Sequence, residues 1–207
     1  MEVQLAVAMQ VQRSCSSNPK AKNSIVNPSK THILENLSKK MEKCVRVYDA
    51  ERDPFPSIYD ERAHPVHPSP SRPSIGQISS FLRKIDLNQY PAEVYVTANI
   101  YVDRMVSFSG VSLHEHNWRR ILLAAVVVSS KYYMDDTIHS GDFLDSFPDL
   151  TLGDLHNLER EFLSHLDYHL FVQRSEYASY CFRLNAQPQN GEEDGFTINI
   201  EDFEVVG

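Results

Sequence analysis

Cysteine and glycine are scarce in this chain, and no apolar run is long. The three cysteines, Cys15, Cys44 and Cys181, are scattered and odd in number. That excludes a disulfide framework and a zinc site built from closely spaced pairs. Free thiols fit a reducing compartment, so cytoplasm or nucleus is the expected location. Seven glycines in 207 residues leave no loop to cradle phosphate, and no nucleophile elbow, Walker loop, dinucleotide fingerprint or HExxH helix is present. The longest apolar run, Ile121 to Val128, is eight residues long, against the roughly 20 a spanning helix needs. Basic residues do not cluster ahead of the apolar patch in MEVQLAVAMQVQRS, and position 2 is Glu. Neither a signal peptide nor N-myristoylation is expected. An excess of positive charge is also lacking. Net charge is −8 and the pI about 5.5, the opposite of a protein that lives on nucleic-acid phosphates. The expectation is therefore no membrane insertion, no nucleic acid and no cofactor.

What is present is ordinary globular material, 42% hydrophobic and 23% charged, enough for one domain with a core. Residues 1–30, rich in Ser, Asn and Lys, read as a disordered tail. Over 31–49, Ile33, Leu34, Leu37, Met41 and Val45 keep helical spacing and predict an amphipathic helix. The segment 50–73 holds Pro54, Pro56, Pro65, Pro68, Pro70 and Pro73 and reads as a linker that packs through Phe55, Ile58 and Tyr59.

From Ser74 onward the texture is helical. Ser74 and Gln77 have capping-box spacing, and Pro91 suits the first position of a helix in which Val94, Ala98, Tyr101, Val102 and Met105 share a face. Ser109-Gly110 ends it. Ser112 and Glu115 offer a second capping box before HNWRRILLAAVVVSSKYY, a helix apolar nearly all round and so expected at the centre of a bundle. A short helix is expected near SGDFLDSF. Thr151 and Asp154 lead into a helix with Leu152, Leu155, Leu158, Phe162, Leu163 and Leu166 in a stripe. A last helix starts near Ser175, and 187–207 is an acidic, flexible tail. No alternating strand pattern appears. The prediction is an all-α domain over 74–186, about five helices with one more in front.

Reactive groups are few. The nine histidines include one pair at helix-face spacing, His165 and His169, at a fraying end; surface histidines, not metal ligands, are expected. Pairs such as Asp135–Asp136 and Glu159–Glu161 read as solvated acids, because no pocket pattern accompanies them.

A combination of segments carries more information. YVDRM, SSKYYMDD and NLEREFLSHLDYHL resemble the cyclin box, and in particular the single-box cyclins of the cyclin Y and phosphate-regulation type. NWRRILLAAVVVSSKYYMDD is similar to that branch through Trp118 and the acids after the lysine, as is LTLGDLHNLEREFLSHLDYHLFVQRSEYASYCF. RDPFPSIYDERAHPV resembles a stretch found ahead of the box in cyclin Y relatives. The resemblance spans about residues 31–185. It implies a single five-helix cyclin box with an additional N-terminal helix, and a non-catalytic activating subunit of a cyclin-dependent kinase of the PCTAIRE-like or phosphate-regulation-like class. Carried over residue by residue, it assigns kinase contact to Lys131 and Glu159, with Tyr132, Leu163 and Leu170 packing beside them. Asp135 and Asp136 would face the kinase activation segment. It implies a structural ion pair between Asp103 and a base on the helix over 75–87, for which Lys84 is the candidate.

From residues alone, Lys131 is also explained as a cation at a helix C-terminus, favoured by about 0.3–1 kcal/mol. The helix reading ISSFLRKI lacks the Met-Arg-Ala-Ile-Leu motif that recruits substrates in cell-cycle cyclins. RSCSS places Arg13 three residues before Ser16, a basophilic-kinase pattern that suits a phosphoserine-reader protein, and Ser69-Pro70 is a proline-directed pattern. The competing function is a cyclin-fold adaptor or transcription-associated module that activates no kinase.

Overall fold

The computed structural model describes residues 29–49, 55–63, 71–86, 90–135 and 137–185. Ser16, Ser69 and Asp136 lie outside these residues, as do the tails over 1–28 and 186–207. The architecture is all-α. Six α-helices run α1 Lys30–Cys44, α2 Ile75–Ile85, α3 Ala92–Ser109, α4 Trp118–Tyr133, α5 Leu152–His165 and α6 Arg174–Asn185. Among the described residues, two 3-10 turns, Ser57–Tyr59 and Ser140–Phe143, stand between them. Among the described residues, extended pairing is limited to one isolated bridge, Arg46 with His114.

Local chemistry sets most helix ends. Ser74 and Gln77 form the reciprocal capping box of α2, and Thr151 and Asp154 form that of α5. Each box satisfies two backbone donors that a helix start would otherwise leave unpaired. Gly110 closes α3 at φ 69°, a left-handed position where only glycine escapes a Cβ penalty. The expected box of Ser112 and Glu115 does not form. Glu115 instead accepts the backbone N–H of Tyr48 at 2.7 Å, and Asn117 is the residue that precedes α4. Its side chain accepts from the His114 N–H and donates to the Ser112 carbonyl, closing the approach to the helix.

Trp118 and Ile121 to Val128 of α4 are all buried, and α4 packs against α3 on one side and α5 on the other. Burial of each isoleucine, leucine and valine among them contributes about 1.5–3 kcal/mol. The sequence singled out α4 alone as central. In the structure α3 shares that position, buried from Val94 to Met105, because α1 and α6 cover the side away from α4. Several of the polar residues this buries are paired, although the Asn99 amide nitrogen has no hydrogen-bond partner among the described residues. Lys40 of α1 donates to Asn99 and Asp103 of α3, and Arg104 bridges to Glu176 of α6 at 2.7 Å.

Two expectations need correction. Asp103 does not pair with Lys84. Its carboxylate takes Lys40 at 2.5 Å and the Tyr180 hydroxyl at 2.9 Å, while Lys84 lies over the Phe147 ring at 4.8 Å. The reason is geometric: α1, not α2, lies against the part of α3 that carries Asp103. The histidines are not all at the surface either. His114 is fully buried in an aromatic cluster with Tyr48, Phe55 and His116, its ring 4.3 Å from that of Phe55.

Candidate functional site

Lys131 stands in the last turn of α4, where the fully buried stretch ends and the helix dipole favours a cation. Its ammonium donates to both carboxylate oxygens of Glu159 on α5, at 2.6 and 2.8 Å, and to Ser140 Oγ at 2.6 Å. Ser140 in turn donates to Glu159 at 3.2 Å. Three elements thus converge on one small polar cluster. Ser140 is buried, whereas the Lys131 and Glu159 side chains keep 27% and 17% of their surface. The cluster is therefore closed inward and open outward.

The apolar residues assigned beside it follow the same face. Leu163 lies four residues beyond Glu159, one turn along α5. Past the helix, Asp167 and Tyr168 both adopt positive φ, 48° and 56°. This places two non-glycine residues in a conformation that costs on the order of 1 kcal/mol each. The turn is held from α3: Arg104 donates to the His169 carbonyl at 2.7 Å, and Tyr101 donates to the Leu170 carbonyl at 2.8 Å. Burial pushes the Tyr101 phenol up, which keeps it protonated as the donor this bond requires. Leu163 and Leu170 pack half-buried on the core, while Tyr168 and Phe171 stay largely exposed at 63% and 64%. Phe108 of α3 is also exposed and meets the His169 ring at 5.9 Å. Tyr132 is half-buried, and burial raises its hydroxyl as well. Asp135 is exposed just beyond α4.

The chain's own fold therefore joins Lys131 to Glu159, and Tyr132, Leu163 and Leu170 are each part-buried. Sequence reasoning missed Ser140, Tyr101 and Arg104. No spacing pattern marks Ser140, because it comes from a 3-10 turn. Tyr101 and Arg104 are recognisable only once the loop they hold is in place.

The model of the cyclin family matches residues 4–170, most of the chain and all of this cluster. The chain belongs to the cyclin family. A similar curated protein is Cyclin-P2-1 of Oryza sativa subsp. japonica, 32% identical over 99 residues, which are 48% of this cyclin and 45% of that relative. The chain thus matches less than half the length of that relative. In this cyclin the polar cluster sits where the central helix emerges, and an exposed aromatic turn follows α5. No helix among the described residues is long and apolar enough to cross a membrane.

Proposed function

We propose that this cyclin is a non-catalytic regulatory subunit that binds a cyclin-dependent kinase and stabilises its active arrangement. The observation that carries the reading is the Lys131–Glu159–Ser140 cluster, closed inward and open outward, with exposed Tyr168 and Phe171 on the turn after the helix that carries Glu159. Lys131 spends its three donors on Glu159 and Ser140, so a partner carbonyl would take the place of one of these internal bonds, while the Glu159 carboxylate keeps lone pairs for a partner's backbone N–H. Leu163, Leu170 and Tyr132 supply apolar area around that polar centre, an arrangement typical of a binding patch with a polar core contact. Exposed aromatic rings on a structured turn are costly in water unless a partner covers them.

Binding here would hold the kinase's mobile regulatory helix inward, where its Lys–Glu ion pair forms and phosphoryl transfer becomes competent. Asp135, with Asp136 beside it, would meet basic residues near the activation segment. The single-box subtype of the cyclin Y and phosphate-regulation type, and a kinase of the PCTAIRE-like or phosphate-regulation-like class, rest on the sequence resemblance. So do phosphorylation at Ser16 or Ser69 and a phosphoserine-reader partner.

The test is recovery of kinase with the purified chain, followed by an activity assay. Capture and activation of a cyclin-dependent kinase are expected, both weakened by Leu163→Asp or Phe171→Asp. Capture without activation would favour the adaptor reading, and neither result in a full panel of these kinases would refute the proposal.

A further inference from the structure

Away from the kinase-facing cluster, α2 and the start of α4 enclose a cavity of about 240 Å3. Its apolar walls are Phe81, Leu123, Phe147 and Leu150. An apolar cavity of roughly 150 Å3 already accepts a benzene ring, while whole small-molecule sites run to about 300–1,000 Å3. This space suits one aromatic side chain better than a complete ligand.

Its charges are unbalanced. Glu61 at the rim is matched by Arg119, which donates to it from both backbone and guanidinium. The other two cations that line the cavity, Lys84 and Arg120, have no ion-pair partner among the described residues. Arg120 is 5% exposed. It donates one bond to the Ile58 carbonyl and leaves a guanidinium nitrogen buried and unbonded. Burial makes its charged form less favourable, and the charges of Asp154 and Glu61 oppose this only in part. A buried charge with no carboxylate in direct contact costs free energy that a bound anion would offset.

We propose that the cavity seats an acidic-aromatic segment of the chain itself, Glu201-Asp202-Phe203-Glu204, with the Phe203 ring inside and the flanking carboxylates against Lys84 and Arg120. The segment offers one ring and three carboxylates within four residues, complementary to apolar walls rimmed by two unpaired cations. Reach is ample. The 18 residues that follow Asn185, through Phe203, span up to roughly 60 Å extended, about twice the ~30 Å across a small domain. The linked segment competes at high effective concentration, so it occupies the cavity ahead of any acidic peptide of another protein at modest concentration. The proposal uses none of the residues assigned to kinase binding, and either can fail without the other.

A benzophenone amino acid at position 203 of the full chain tests it. Irradiation is expected to give crosslinks within one chain to residues 77–84, 119–123 or 147–150. Lys84→Glu and Asp202→Lys should each lower the yield at least threefold. Asp202 belongs to none of the described helices, so Asp202→Lys removes no side chain from their packing. The chain's single tryptophan, Trp118, packs on Phe81 at 5.3 Å, and Phe203→Ala should shift its emission. Crosslinks elsewhere, crosslinks only between copies, or yields unchanged by both charge reversals would overturn the proposal.

Discussion

Lys40→Met leaves the Asp103 carboxylate buried with Asn99 and Tyr180 but no cation. Removing one member of such a pair costs about 3–5 kcal/mol, so urea unfolding should show a loss of that size. Lys84→Met, at the position the sequence pointed to for this role, should cost under about 1 kcal/mol. Equal losses at the two positions would mean that the pairing has been misread. A second consequence at this scale concerns thiols. Burial raises the Cys44 and Cys181 thiols, with Lys40 the largest opposing influence at Cys44 and nearby Glu93 reinforcing the rise at Cys181. A raised thiol holds less thiolate at a given pH, and the thiolate is the nucleophile. Native alkylation at pH 7.5 should therefore be slow at both positions, rise with pH, and accelerate in denaturant. Mass spectrometry of the labelled peptides reads all three.

Among the elements, α5 carries Glu159 and Leu163, and its start depends on a capping box. Thr151→Ala should cost about 1 kcal/mol of stability, seen as a lower urea midpoint with an unchanged slope. If α5 positions the candidate surface only by folding, the same change leaves kinase affinity within about twofold in native buffer. Helix ends of this kind were legible in the sequence because their chemistry is local: Ser74 with Gln77, Thr151 with Asp154, Gly110 after Ser109. Ser112 with Glu115 had the same spacing and misled, since Tyr48, 67 residues away from Glu115, claims that carboxylate. Distance in sequence explains the other misreadings too. Lys40 and Asp103 lie 63 residues apart, and no period links them. The all-round burial of α3 depends on α1 and α6, which its own pattern cannot announce. His114 is buried because Tyr48 and Phe55 fold over it from the segment before α2. Lys131 and Glu159 could be singled out by resemblance, whereas their direct contact, with Ser140 between them, is a fact of assembly.

For the whole molecule, the proposed function gives one bundle two tasks with the same residues. Lys131 and Glu159 close the gap between α4 and α5, and under that proposal they would also meet a kinase helix. Single changes cannot separate those roles, because each breaks the internal pair. The combined reversal Lys131→Glu with Glu159→Lys can, since it restores opposite charges within the chain while inverting what a partner encounters. The decisive measurement is the affinity of this double variant for the kinase, read beside its thermal unfolding. The account predicts unfolding within a few degrees of the parent and binding weakened at least tenfold, about 1.4 kcal/mol or more. Parent-like binding in a folded double variant would show that the pair serves only the fold and would contradict the account.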